Sequence, residues 1–256
     1  MEGFARRESD LAPQRRHRPV AAPKNALKSL SMTPPLFRKL NFLMLAPAFA
    51  AALFASPFAQ AQDAAQGQVK AATCIGCHGI GGYQASFPEV HRVPMISGQN
   101  AKYIVASLNA YKKGERKHPT MRATANALSD KDIADLAAFY EKHVPVSFKP
   151  VSDVGVPAPS AEVAALLNKG ACASCHGANY NKPVDGSYPK LAGQYADYLY
   201  VALKAYQVEG NPRVGRANAV MSAQVKQYTH RELKAIANYL GSLPGDLSYV
   251  PQSKFR

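Results

Sequence analysis

The chain has 256 residues, with 31 Lys and Arg against 17 Asp and Glu, and four cysteines. Residues 1–61 hold 9 of the basic side chains and 3 of the acids, leaving 22 and 14 over residues 62–256, a dispersed net charge of +8. No stripe of Lys and Arg interleaves with aromatics, which argues against nucleic-acid binding and toward an acidic protein or a membrane surface as partner.

Residues 1–31 are polar, Arg-rich and Pro-containing, and read as a basic extension or as sequence upstream of a start at Met32. Residues 32–61 have the layout of a secretory signal peptide: Arg38 and Lys39, an apolar run, then Ala59-Gln60-Ala61 as a small-x-small cleavage site. Pro47 and Pro57 interrupt the run and set it apart from a membrane anchor. Cleavage there would leave residues 62–256, 195 in all. That is enough for two small domains in an oxidising compartment.

The remainder is a repeat. A helical stretch at 63–73 leads into CIGCH at 74–78, and another at 160–171 leads into CASCH at 172–176. PMISGQNAKYIVASLNAYKKG at 94–114 matches PKLAGQYADYLYVALKAYQVEG at 189–210, with Pro, Gly, Gln, Tyr, Leu and Tyr in register. Gly114 and Gly210 stand where these helices would need a left-handed cap. SDKDIADLAAFY at 129–140 matches THRELKAIANYL at 229–240; Ser129 with Asp132, and Thr229 with Glu232, predict capping boxes. Behind them Ile133, Leu136, Ala137 and Tyr140, and Leu233, Ile236, Ala237 and Leu240, recur at helical spacing.

No stretch shows the alternation of a half-buried strand. The expected fold is therefore all-α, with a first domain at 62–143, a proline-rich extended linker at 144–159 and a second domain at 160–256. Each domain has only about a hundred residues and long loops, a marginal core on size alone. Something besides side chains is expected to fill it.

All four cysteines fall in the two CxxCH pentapeptides. Two cysteines three apart on a helical turn point to one side, and the adjacent histidine approaches from the same side. This suits a flat macrocycle: Cys74 and Cys77 would bond the vinyl groups of one haem and His78 its iron, with Cys172, Cys175 and His176 doing the same for a second. A thioredoxin-like pair would need a strand–turn–helix setting. A four-cysteine zinc site would have to join the two repeats across the linker, and neither zinc nor disulfides would account for the histidines.

Of the methionines after residue 61, Met95, Met121 and Met221, the last two lie eight residues before Ser129 and Thr229 in what reads as polar loop. Their matched placement marks them as axial iron ligands opposite His78 and His176. Histidine–methionine ligation raises the potential and closes the iron to substrate, which favours electron transfer. His118 is a rival ligand in the first repeat, but its counterpart is Asn218. His91, His143 and His230 read as surface or satisfied histidines. Tyr103, Tyr111, Tyr198 and Tyr206 recur on equivalent helices and could bond haem propionates or serve as core.

Taken together, the tandem CxxCH units, the SGQ and AGQ loops, the matched methionines and the LSDKDIADLAAFY ending resemble the dihaem cytochrome c4 family across residues 62–256. RKHPTM before Met121 departs most from that pattern. The resemblance implies two class I cytochrome c domains facing each other across a pseudo-twofold axis, two covalent c-type haems with their iron, and residence in the periplasm, peripheral to the membrane. It implies redox partners: a quinol-oxidising complex or dehydrogenase as donor, a terminal oxidase as acceptor. A carrier of this kind is not an enzyme. The rival readings are a cytochrome subunit of a dehydrogenase acting on sulfide, thiosulfate or an alcohol, and a dihaem peroxidase, which would need one labile sixth position.

Overall fold

The structure, a computed structural model, describes residues 62–147, 149–151 and 155–251; the basic extension and the signal-like segment lie outside them. All described residues belong to one unit. The first half begins at Asp63, whose carboxylate accepts the N–H groups of Ala65 and Gln66 and so caps α1, Ala64–Lys70. After buried Ala71 the chain turns into α2, Ala72–His78. Helices α3 (Ala101–Lys112), α4 (Pro119–Asn126) and α5 (Asp130–Lys142) complete this half. The second half repeats the order with α6 (Ala161–Lys169), α7 (Ala173–His176), α8 (Ala196–Ala205), α9 (Ala219–Val225) and α10 (His230–Ser242).

Both expected capping boxes form, at Ser129/Asp132 and Thr229/Glu232. The helices behind them bury the expected stripes: Ile133, Leu136, Ala137 and Tyr140 in α5, and Leu233, Ile236, Ala237 and Leu240 in α10. In each half the first helix packs on the last, α1 on α5 and α6 on α10. At the first crossing Gly67 is buried, and a methyl group there would overlap the Asp135 carbonyl oxygen.

The Asp135 side chain is buried at this crossing, where it accepts the Asp63 N–H at 2.9 Å and the Lys131 ammonium at 2.8 Å. Lys131 and the Asp63 amide hold its carboxyl below the ordinary range against the opposing effect of burial. A carboxyl whose pKa is lower folded than unfolded adds stability above its unfolded value of about 3.9, and that stability is lost as pH falls through the folded value. The melting temperature should therefore drop below about pH 4. Asp135→Asn should melt lower at neutral pH yet lose less on acidification; thermal melts between about pH 7 and pH 3 check this, and parallel curves would refute the assignment.

Each CxxCH lies on a helical turn as expected, in α2 and at α7. Gly114 follows α3 with φ +75° as expected. Other features differ from the sequence-based expectation. Gly210 is also left-handed (φ +70°), but α8 ends five residues earlier at Ala205. Gln207, just past that end, instead donates to the carbonyls of Val225 and Tyr228. Two small ladders are present as well: β1 (Gln84–Ala85) with β2 (His91–Arg92), and β3 (Arg116–Lys117) with β4 (Gly215–Arg216). Two residues per strand are too few to show alternation in a sequence.

The second ladder joins the halves, pairing Arg116 with Arg216 and Lys117 with Gly215, antiparallel. Two buried glutamines add a reciprocal lock. The Gln194 amide donates to the Met95 carbonyl at 2.8 Å and accepts its N–H at 3.0 Å; Gln99 does the same to Lys190 at 3.1 and 3.0 Å. Each side-chain amide takes the place of a strand partner for a buried peptide group of the opposite half. Among its described residues the linker docks on the second half, Val151 N–H to Asp246 Oδ1 and Tyr239 Oη to the Pro157 carbonyl.

Candidate functional site

Cys74, Cys77 and His78 lie on α2; Cys172 immediately precedes α7, which carries Cys175 and His176. No disulfide joins any two of the four cysteines. Burial pushes the Cys74 and Cys172 thiols up, the opposite of what a reactive redox pair requires. Among the described residues no three His, Cys, Asp or Glu side chains converge as a metal cage, so the zinc alternative is not formed.

Each CxxCH histidine is oriented by the loop that follows it. His78 Nδ1 lies 2.8 Å from the Pro94 carbonyl, and His176 Nδ1 lies 3.1 Å from the Pro189 carbonyl. A carbonyl only accepts, so Nδ1 carries the proton in both rings and the Nε2 lone pair is left for a metal. Burial pushes both imidazoles down, which keeps them neutral. Pro94 and Pro189 each stand five residues before the glutamine that locks the opposite half. One loop in each half thus orients a histidine and joins the two halves.

Met121 and Met221 are not in loops. They occupy the third position of α4 and α9 and are half-buried. In both helices the capping side chain accepts the methionine N–H, His118 Nδ1 at 3.4 Å and Asn218 Oδ1 at 2.9 Å. Short capped helices without an apolar stripe escape periodicity arguments. His118 and Asn218 are equivalent as caps, which explains why the repeat puts different residues there. A neutral His118 that accepts at Nδ1 holds its proton on Nε2 and has no lone pair left for iron. Met221 packs with Cys172 against the core formed by Leu166, Leu199 and Leu240.

His91 and His143 have structural partners. His91 is buried with Nδ1 at 2.8 Å from the Glu89 carbonyl, and His143 meets the Ser97 hydroxyl at 3.1 Å and stacks on Phe139. His230 is exposed at the start of α10.

Two residues not singled out from the sequence complete the site. Arg116 Nη2 donates to Tyr103 Oη, and Arg216 Nη2 to Tyr198 Oη, both at 3.0 Å. The guanidiniums also lie over Tyr111 and Tyr206, at 5.8 and 5.5 Å from the ring centroids. Burial opposes ionisation of Tyr103, yet the two guanidiniums pull its hydroxyl down to about 8; at Tyr198 burial prevails and its pKa rises. Among the described residues neither arginine has a carboxylate within salt-bridge reach. Two guanidiniums brought together without a counterion are a receptor for carboxylates. Haem brings two propionates, so the residues present fit the group. The signal was available: both arginines stand five residues before the matched methionines.

Comparison with known proteins agrees. The cytochrome c family profile matches residues 64–142 and 160–244. The chain is 30% identical over 201 residues to cytochrome c4 of Azotobacter vinelandii, covering 72% of this chain and 90% of that one. It is 30% identical over 183 residues to the thiosulfate dehydrogenase electron acceptor of Thiomonas intermedia, covering 68% and 80%. Reduced recombinant cytochrome c4 from Pseudomonas stutzeri superposes with a TM-score of 0.54 at 27% identity, covering 72% of this chain and 100% of that one. Two tandem cytochrome c domains, each with its pentapeptide, carry two covalent c-type haems. The chain belongs to the cytochrome c family, and within it to the dihaem electron-transfer proteins of the cytochrome c4 type.

Proposed function

We propose that this protein is a periplasmic carrier of single electrons, accepting them from a quinol-oxidising complex or a dehydrogenase and delivering them to a terminal oxidase. Each haem, when bound, supplies a one-electron ferric–ferrous couple. Cys74 and Cys77, and Cys172 and Cys175, would hold it by thioether bonds. His78 and His176 would offer Nε2 to the iron, with each ring oriented by the Pro94 or Pro189 carbonyl. Met121 and Met221 would supply thioether ligands that leave no site for small ligands or water. Arg116 and Arg216, with Tyr103 and Tyr198, would hold its propionate carboxylates. The glutamine locks and the β3–β4 ladder keep the halves fixed, so little has to rearrange as charge moves.

The observation that most supports this reading is the duplication of one complete ligand arrangement, an oriented histidine and a capped methionine in each half. A peroxidase would need one iron with an open or labile sixth position, and the matched methionines count against that. The dehydrogenase-subunit reading draws support from the similarity to the Thiomonas intermedia acceptor. Export rests on the signal-like segment at 32–61. Among the described residues no helix is long and apolar enough to cross a membrane.

The reduced holoprotein is expected to bind no carbon monoxide at either haem. Rapid binding at one would move the reading to catalysis. Capture of the partner from native periplasmic and membrane fractions separates an oxidase donor from a dehydrogenase subunit.

A further inference from the structure

The contacts between the halves are of two kinds. The glutamine locks and the β3–β4 ladder engage backbone through equivalent residues on both sides, so they would fit any pairing of halves. The ion pairs are different. Lys102 and Asp197 hold the same repeat position, the second residue of α3 and of α8, each three residues after the locking glutamine, but they carry opposite charge. Asp197 meets Arg92, in the loop before Pro94, at 3.0 Å through Nε and again through the Arg92 N–H at 3.0 Å. Lys102 meets Asp185, in the loop before Pro189, at 3.5 Å.

We infer that these reversed charges are a pairing code: the docking face of the first half fits the second half of this chain and rejects another copy of itself. Two first halves docked in the same way would set Arg92 against Lys102 at both ends. Two second halves would set Asp185 against Asp197 at both ends. Only the unlike combination brings opposite charges together twice. Specificity then comes from the repulsion in the wrong complexes as much as from attraction in the right one.

Two further contacts follow the same rule. The Arg92 guanidinium lies 4.4 Å from the centre of the Tyr195 ring, and the first half has Asn100 at that position. Lys204 pairs with Glu89 at 2.6 Å, and the first half has Asn109 where the second has Lys204. Like-with-like docking would lose both. The code gives each exported chain one internal partner and keeps its electron-transfer junction from being completed by an identical half of a neighbouring molecule.

The test uses the full-length holoprotein and reads hydrogen exchange at the Met95 and Lys190 amides, which donate across the junction. The exchange Lys102→Asp/Asp197→Lys sets like charges at both ends within the chain. At low ionic strength these amides should exchange about tenfold faster than in the natural protein, and the difference should shrink in about 1 M salt. Adding Arg92→Asp and Asp185→Lys reverses both pairs together and should return exchange to the natural rate. Unchanged protection in the double variant would overturn the inference. So would a loss that salt does not reduce, or one the quadruple variant fails to restore, because that marks local damage rather than charge matching.

Discussion

Met221→Ala should leave a chain with two haems of which one, when reduced, binds carbon monoxide, and should remove the long-wavelength sulfur-to-iron absorption of that haem. Met121→Ala should do the same at the other, and the double variant should bind two carbon monoxide molecules per chain. The reasoning is steric and electronic. A thioether is a weak, uncharged ligand that favours ferrous iron and occupies the remaining face, so its removal lowers the potential and opens that face. Two controls separate the sulfur from its surroundings. Asn218→Ala removes only the cap of α9 and should cost about 1 kcal/mol of stability while the absorption band survives. His118→Ala should likewise preserve the band of the first haem; its loss there, with Met121→Ala silent, would transfer the ligand role to the histidine. Visible spectra and carbon monoxide titration of the five variants decide the assignment.

Gly67→Ala should be among the most destabilising single changes outside the haem ligands. The helix α1 lies so close to α5 that an added methyl would overlap the Asp135 carbonyl and crowd the Phe139 Cβ. Relief requires the helices to separate at the crossing that also carries the Asp63–Asp135 bond. Overpacking of this kind costs about 3 kcal/mol or more. For a chain of this size that is a fall of roughly 6–12 °C in melting temperature. Val69→Ala on the same helix, 73% exposed, should melt within about 2 °C of the natural protein. Thermal unfolding of the holoproteins provides the comparison, and a Gly67→Ala melt close to the natural one would show that the crossing yields. The second half packs its crossing differently: α6 has no glycine between Ala161 and Lys169.

Much of the site was legible before any coordinates. The pentapeptides, the matched methionines and the capping boxes are each patterns complete within about a dozen residues, and each occurs twice in register. Met121 and Met221 hold equivalent positions, but the sequence reads as loop around them where the structure has helix, because α4 and α9 are too short for a hydrophobic period and are held by single caps. For Tyr103 and Tyr198 the sequence left propionate bonding and core packing both open. Their arginine partners, 13 and 18 residues away, recur in register in the sequence, but that they meet each other follows only from the β3–β4 ladder that sets Arg116 beside Arg216.

The sequence alone determined that the chain is a twice-built helical unit with a haem attachment point and two candidate axial ligands in each copy. Those features rest on local rules: helical spacing, caps and the geometry of CxxCH. Tertiary structure alone decided how the copies meet. Gln99 finds Lys190 across 91 residues, Gln194 finds Met95 across 99, and Arg92 finds Asp197 across 105. A repeat gives each such residue an equivalent partner in its own half as well as in the other. Which one it meets depends on charge and backbone brought together in space, and no stretch of neighbouring residues encodes that.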